Sequence, residues 1–222
     1  MFKRRLRQLR SLITGLLRIP FHGKKYEIKR GYQHRQSYHH FSDIGATDQA
    51  QKEVYETALA LGKTHQYQNI LDVGCGSGYK LVKLFGEHFN IIGTEIEDTL
   101  AYLQKLYPQH TWHHAQKVDY HQLNAELVIC SDVIEHVVNP DALLNKLKQV
   151  KGAKHFVIST PDRLLVRNWF DYGPPNNRAH VREWNGKEFA TYLSKHFCIE
   201  QHLVTNYRHG TQVIIATPKP NR

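Results

Sequence analysis

Apolar positions along the chain follow two rhythms. Over residues 2–18, Phe2, Leu6, Leu9, Ile13, Leu16 and Leu17 recur at helical spacing on one face, with Lys3, Arg4, Arg7, Arg10 and Arg18 mostly on the other. The pattern predicts an amphipathic helix ended by Pro20, then a polar, aromatic-rich linker to residue 40. A second helix is expected over residues 49–61, with Thr47 or Asp48 as its N-cap. Beyond it, apolar runs of strand length at 70–73, 89–94, 111–114, 127–131 and 155–159 alternate with helical stretches at 79–85, 99–107 and 140–149. Residues 187–196 read as a further helix, and 198–204 with 212–217 as a closing antiparallel pair. This alternation predicts an α/β, doubly wound, Rossmann-like fold: seven strands, mostly parallel, in three layers. The 222 residues suffice for one sizeable domain, with an arm and linker expected at 1–40 and the folded domain at 41–222.

Charge sharpens the division. Residues 1–35 hold eleven Lys and Arg against one acid, Glu27, so the formal excess of +10 sits in the arm and the remainder is balanced. A balanced domain argues against a broad nucleic-acid footprint, which needs a basic face on the domain itself. Three readings stand for the arm: contact with an anionic membrane surface through residues 1–20, docking on its own domain or another subunit, and nucleic acid as the least favoured. Gly15 and Arg18 interrupt its apolar stretch, which fits a secretory signal poorly and is too short for a membrane span. The expected location is cytoplasmic, extending to the inner face of the membrane. Cys75, Cys130 and Cys198 lack paired spacing and read as reduced thiols. Sixteen histidines suggest no metal set, since no Cys-x-x-Cys occurs and His113 and His114 point to opposite faces of a strand-like stretch. No metal centre is expected.

The central motif is Asp72-Val-Gly74-Cys-Gly76-Ser-Gly78, directly after the 70–73 strand. Glycines there let the backbone pass close beneath a ligand at the carboxyl end of the sheet. A dinucleotide loop would place its last glycine at position 79, which is Tyr79, and a P-loop would need a following Gly-Lys-Ser/Thr. Glu95 ends the next strand, where a carboxylate can accept hydrogen bonds from both ribose hydroxyls of an adenosine.

The run 70–78 resembles motif I of class I methyltransferases that use S-adenosylmethionine, and Ser131-Asp-Val-Ile-Glu-His-Val-Val-Asn-Pro140 resembles their fourth-strand motif. A closer similarity is to small bacterial methyltransferases found among sugar and cell-surface glycan genes, carried by Ser159-Thr-Pro-Asp-Arg163, Gly173-Pro-Pro175 and His180-Val-Arg-Glu-Trp184. The resemblance runs over residues 49–217. It implies that Asp72, Gly74, Gly76 and Gly78 hold the methionine end of S-adenosylmethionine, that Glu95 holds the ribose, and that Ser131 belongs to the cofactor site. Either Asp119 or Gln116 is expected at the adenine amine, with Asp119 preferred. Tyr55 either packs over the cofactor or belongs to the core.

Methyl transfer to a hydroxyl needs alignment and removal of a proton. His136 and His180 are the candidate general bases, each with a structural role as its alternative. Arg178, Arg182 and Trp184 are candidate substrate-binding residues, the arginines for a phosphate or carboxylate. The preferred acceptor is a hydroxyl of a sugar, glycan or lipid-linked intermediate. A quinone or other lipophilic phenol is the first alternative, because quinone methyltransferases share the Val-Ile-Glu-His-Val pattern, and a catalytically silent cofactor-binding module is the second.

Overall fold

The strongest apolar runs become the middle of a seven-stranded sheet. In the computed structural model, which describes residues 2–37 and 51–220, the strands are β1 (Asn69–Val73), β2 (Asn90–Glu95), β3 (Thr111–His114), β4 (Leu127–Ser131), β5 (His155–Pro161), β6 (Phe197–Asn206) and β7 (Thr211–Pro218). Their order is β3-β2-β1-β4-β5-β7-β6. The first five are parallel, and β7 runs antiparallel between β5 and β6. The chain winds outward from β1 to β3 and then returns to β4, so a crevice opens at the carboxyl ends of β1 and β4.

Central strands are apolar on both faces. Leu71, Val128, Cys130 and Ile158 point into one buried cluster, and Ile70, Ile129 and Val157 into the other. Two buried faces require two helical layers, as doubly wound sheets have. The helices are α1 (Phe2–Arg18), α2 (Lys52–Thr64), α3 (Tyr79–Phe85), α4 (Glu97–Leu106), α5 (Pro140–Leu147), α6 (Arg163–Val166) and α7 (Gly186–Leu193). Asn139 caps α5 by accepting from Ala142 N, with Pro140 at the first turn, and Asn185 with Glu188 forms a capping box on α7. The expected caps Thr47 and Asp48 lie outside the described residues.

Within the polar stretch after Pro20, residues 28–35 pack against the domain. Ile28 is fully buried and Tyr32 nearly so, both in the core cluster that holds Trp184. Gln33 N donates to Tyr172 O and Arg35 N to Val181 O, clamping this segment across the loop after β5. Composition misses this because two well-spaced apolar side chains suffice to anchor a polar segment.

Candidate active site

The glycine loop forms one wall of a cavity of about 450 Å³ at the crevice between β1 and β4. Gly74 adopts φ +74°, and a Cβ there would lie 2.6 Å from a Val133 methyl. Both the conformation and the space require glycine. Gly76 N donates to Glu95 Oε1 at 2.8 Å, and Ile96 N donates to Oε2 at 3.0 Å. The Glu95 carboxylate is therefore fixed at the rim of the cavity by two backbone amides. Gly74, Gly76, Glu95 and Ser131 all line the cavity. Gly78 instead opens α3, its missing side chain facing Leu103 and Trp112.

Asp72 lies beneath the loop, fully buried, with Tyr55 Oη donating to Oδ2 at 2.7 Å. Burial pushes its pKa up to about 7, against the lowering effects of the Tyr55 bond and the Lys80 charge. Its Oδ1 has no partner among the described residues. Tyr55 is a core residue of α2 and stands on the carboxyl rather than on the cavity wall. The pocket, the glycine cradle and this unpartnered buried oxygen fit a ligand shaped like S-adenosylmethionine. Of the two residues expected at the adenine amine, Gln116 lines the cavity and the preferred Asp119 does not. Asp119 caps the 3-10 turn Tyr120–Gln122 by accepting from His121 N at 3.0 Å, so its side chain is engaged locally.

Past β4 the chain turns sharply. Asp132 takes φ +53°, costly for a residue with a Cβ, and is held there by its neighbours. Ser159 Oγ donates to Oδ1 at 2.7 Å and Gln51 Nε2 to Oδ2 at 3.2 Å. The turn carries Glu135 beneath the sheet end and His136 onto the cavity wall. Glu135 is fully buried and accepts from Thr160 Oγ1 at 3.0 Å, while its Oε1 has no partner among the described residues. Burial, with Asp132 nearby, pushes the Glu135 carboxyl well above the usual carboxylate range.

His136 and His180 meet edge to face, with ring centroids 4.8 Å apart. His136 Nδ1 lies 3.1 Å from Ala179 O, which can only accept, so Nδ1 carries the proton and Nε2 keeps its lone pair. Burial drives the His136 pKa down to about 4, leaving a neutral ring at physiological pH. His180 pairs through Nδ1 with Glu183 Oε1 at 2.9 Å and through Nε2 with Asn177 Nδ2 at 3.0 Å. The amide donates, so His180 also holds its proton on Nδ1. Glu135, His136 and His180 each offer a ligand atom, all within 4.8 Å of one another. A carboxylate behind His180 and a carbonyl behind His136 are the partners that orient metal-bound imidazoles. Folding thus brings together three candidate ligands where the sequence suggests none, and a cation there would displace the Asn177 amide from His180 Nε2.

Two substrate candidates belong elsewhere. Trp184 is fully buried, stacked on Tyr192 at 5.6 Å, with Nε1 donating to Tyr26 O. Arg182 is 1% exposed and donates to Val137 O and Val138 O, both at 2.6 Å, while its guanidinium lies over Tyr26. Neither lines the cavity, although Arg182 holds two residues that do. Arg178 is exposed in the segment leading to His180. The Ser-Thr-Pro-Asp-Arg run is likewise architectural: Asp162 caps α6 and accepts from Gly186 N, and Arg163 pairs with Glu188 at 2.8 Å in the interior. Wall residues missed by the sequence reading include Gln51, Val133, Val137, Val138, Asn139 and Lys146.

Comparison with known proteins agrees with this architecture. A family model described as a methyltransferase domain matches residues 26–196. Among curated proteins, the ubiquinone biosynthesis O-methyltransferase of Rickettsia conorii is 33% identical over 109 residues, covering 42% of this chain and 35% of that protein. The protein of the same name from Hydrogenovibrio crunogenus is 29% identical over 117 residues, covering 47% and 46%. The chain therefore spans less than half the length of the curated relatives it matches. Among solved structures, magnesium protoporphyrin IX methyltransferase from Synechocystis PCC 6803 with bound SAM superposes at TM-score 0.56 with 16% identity, covering 77% of this chain and 80% of that one. The N-methyltransferase NodS from Bradyrhizobium japonicum superposes at 0.59 with 12% identity, covering 80% and 95%. A match over residues 26–196, which hold β1 to β5, the glycine loop, His136 and His180, places this chain in the methyltransferase-domain family.

Proposed function

We propose that this chain transfers a methyl group from S-adenosylmethionine to a hydroxyl oxygen of a lipophilic phenol of the quinol type. The observation that carries the reading is the make-up of the cavity beside the glycine loop. The cavity carries polar groups at Gln51, Glu95, Gln116, Ser131, Asp132, Asn139 and Lys146, and an apolar run at Val133, Val137, Val138, Ala142 and Leu143 beside His136. An apolar lining suits a lipophilic ring better than a sugar, and the relatives named as ubiquinone O-methyltransferases support the same acceptor class. Glu95 would hold the ribose and Gln116 the adenine amine, with Ser131 and Asp72 near the methionine end. The acceptor oxygen bonds to the methyl carbon as the carbon–sulfur bond breaks, and the hydroxyl proton passes to His136 Nε2. His180 keeps the His136 ring in place, and exposed Arg178 remains for an anionic group on the acceptor. A lipophilic acceptor places the enzyme at the inner face of the membrane.

The test is label transfer from methyl-labelled S-adenosylmethionine to a prenylated catechol and, in parallel, to a glycan fraction. Wild type labels the catechol, and His136→Ala lowers kcat by about 10²–10⁴. Label in the glycan alone restores the sugar acceptor. Calorimetry that finds no binding of S-adenosylhomocysteine, or the same affinity in Glu95→Ala, removes the cofactor assignment.

A second reading rests on the convergence of Glu135, His136 and His180. A divalent cation held there would lower the pKa of the acceptor hydroxyl, with His136 as a ligand instead of a base. Loss of turnover on chelation and recovery with magnesium or manganese selects this reading, and indifference to chelator selects the first.

A further inference from the structure

Helix α1 is seated the opposite way from an ordinary surface helix. The residues against the domain are small or polar. Ser11 Oγ donates to Gly173 O and accepts from Tyr172 N, and Gly15 packs beneath the Tyr172 ring, where a Cβ would lie 2.2 Å from the ring carbon. Gly31 closes on Gly15 from the other side, its own Cβ position 2.3 Å from Gly15 O. The apolar residues face out: Leu9 is 56%, Ile13 50%, Leu16 50% and Leu17 70% exposed. A helix that docked by the hydrophobic effect would show the reverse.

The charges flank this outward stripe. At about 100° per residue, Arg5 borders one edge and Lys3 and Arg10 the other, and all three are exposed. Apolar side chains between rows of cations match an interface of acyl chains beneath anionic headgroups. A second copy of the chain is the poorer occupant, because pairing these stripes would bring the two sets of Lys3, Arg5 and Arg10 together without counter-charge. No described helix is long and apolar enough to cross a membrane.

We infer that α1 is a preformed anchor for an anionic bilayer surface, fixed to the domain by Ser11 and Gly15 and inserting Leu6, Leu9, Ile13, Leu16 and Leu17. The anchor is independent of the acceptor's identity. Its seat is the 171–177 segment, which leads directly to Ala179 and His180 beside the cavity. Arg7 and Arg35 reinforce that seat through Pro175 O. A bound protein therefore holds its pocket one loop away from the lipid.

The experiment is flotation of the full chain with vesicles of phosphatidylcholine alone or mixed with phosphatidylglycerol. Wild type floats with the anionic vesicles, stays down with the neutral ones, and partly releases at high salt. Leu9→Ser with Leu16→Ser, and separately Arg5→Glu with Arg10→Glu, each weaken binding at least tenfold. These side chains are exposed, so circular dichroism and S-adenosylhomocysteine affinity stay at wild-type values, which separates failure of the anchor from failure of the enzyme reading. The inference is overturned if wild type does not float, if either variant floats as well as wild type, or if sedimentation shows a dimer that the serine variant dissolves without any vesicle binding.

Discussion

Replacing Arg182 with methionine separates a substrate-binding arginine from a structural one. The guanidinium spans from the core to the cavity wall, donating to the carbonyls of Val137 and Val138 at 2.6 Å each. Burial pushes its pKa down to about 10, so it remains charged at neutral pH. A hydrogen bond to a charged group contributes about 1.5–3 kcal/mol. Val138 is 45% exposed, so water can reach the freed carbonyls and the low end of that range applies to each bond. Methionine retains most of the stem's contact with Tyr26 and Trp184. The sum is about 3 kcal/mol lost. With a urea slope of about 2.5 kcal/mol/M, the unfolding midpoint falls by roughly 1 M. Because Val137 and Val138 line the cavity, KM for the acceptor rises while S-adenosylhomocysteine affinity changes little. An unchanged midpoint with abolished turnover would refute the structural role and return Arg182 to the substrate.

Other perturbations probe the rest of the site. Gly74→Ala forces a Cβ into φ +74° and to 2.6 Å from a Val133 methyl, which costs about 1–2 kcal/mol in backbone conformation alone. Val133 must move into the cavity, and calorimetric affinity for S-adenosylhomocysteine drops at least tenfold; equal affinity would show that the loop does not cradle the ligand. Burial holds the Asp72 pKa near about 7 against 3.8 for a free carboxyl, so the folded chain keeps a proton that the unfolded chain releases. Stability from this group is full below pH 4 and is lost as pH rises through 7. Wild type therefore loses more stability than Asp72→Asn between pH 5 and pH 8, and parallel urea midpoints would contradict the assignment. Cys75 and Cys130 are buried, their thiols pushed well up by burial, while Cys198 is exposed. A thiol reagent modifies one cysteine rapidly in the native protein, and Cys198→Ser abolishes that fast phase; two fast thiols would contradict the packing around β1 or β4.

Strands β1, β3 and β4 are legible within a residue because each is a run of apolar side chains broken by a turn, and both signals are local. Gly74, Gly76 and Glu95 are legible for the same reason: a loop and the end of the next strand meet through parallel pairing, in which Asp72 lies beside Gly93. The cavity wall after β3 is less readable. Gln116 and Asp119 differ by one turn of chain, and the deciding fact is that Asp119 caps the following turn. That signal, an Asp just before a short helical turn, was present in the sequence and favours local capping over ligand contact.

The region after β5 misleads for a deeper reason. Loops on this scaffold carry substrate chemistry, so a loop rich in His, Arg and Trp reads as a pocket. Here the loop is long enough to build an interior of its own. Arg163 pairs with Glu188, Arg167 pairs with both Asp171 and Glu183, and Trp184 fills the space between them and the sheet. Isolated buried charges are unaffordable, so each arginine in the interior needs a carboxylate or carbonyls at a definite place. That requirement fixes the loop's path, and the path delivers His180 to the His136 ring. The ionic residues that look like a pocket in the sequence are thus interior and lie off the cavity wall. The same logic predicts a graded outcome: Arg163→Met leaves Glu188 uncompensated and costs about 3–5 kcal/mol, whereas Arg163→Met combined with Glu188→Gln recovers part of that loss. If the double variant is no more stable than the single one, the pairing is not what sets the path of the loop.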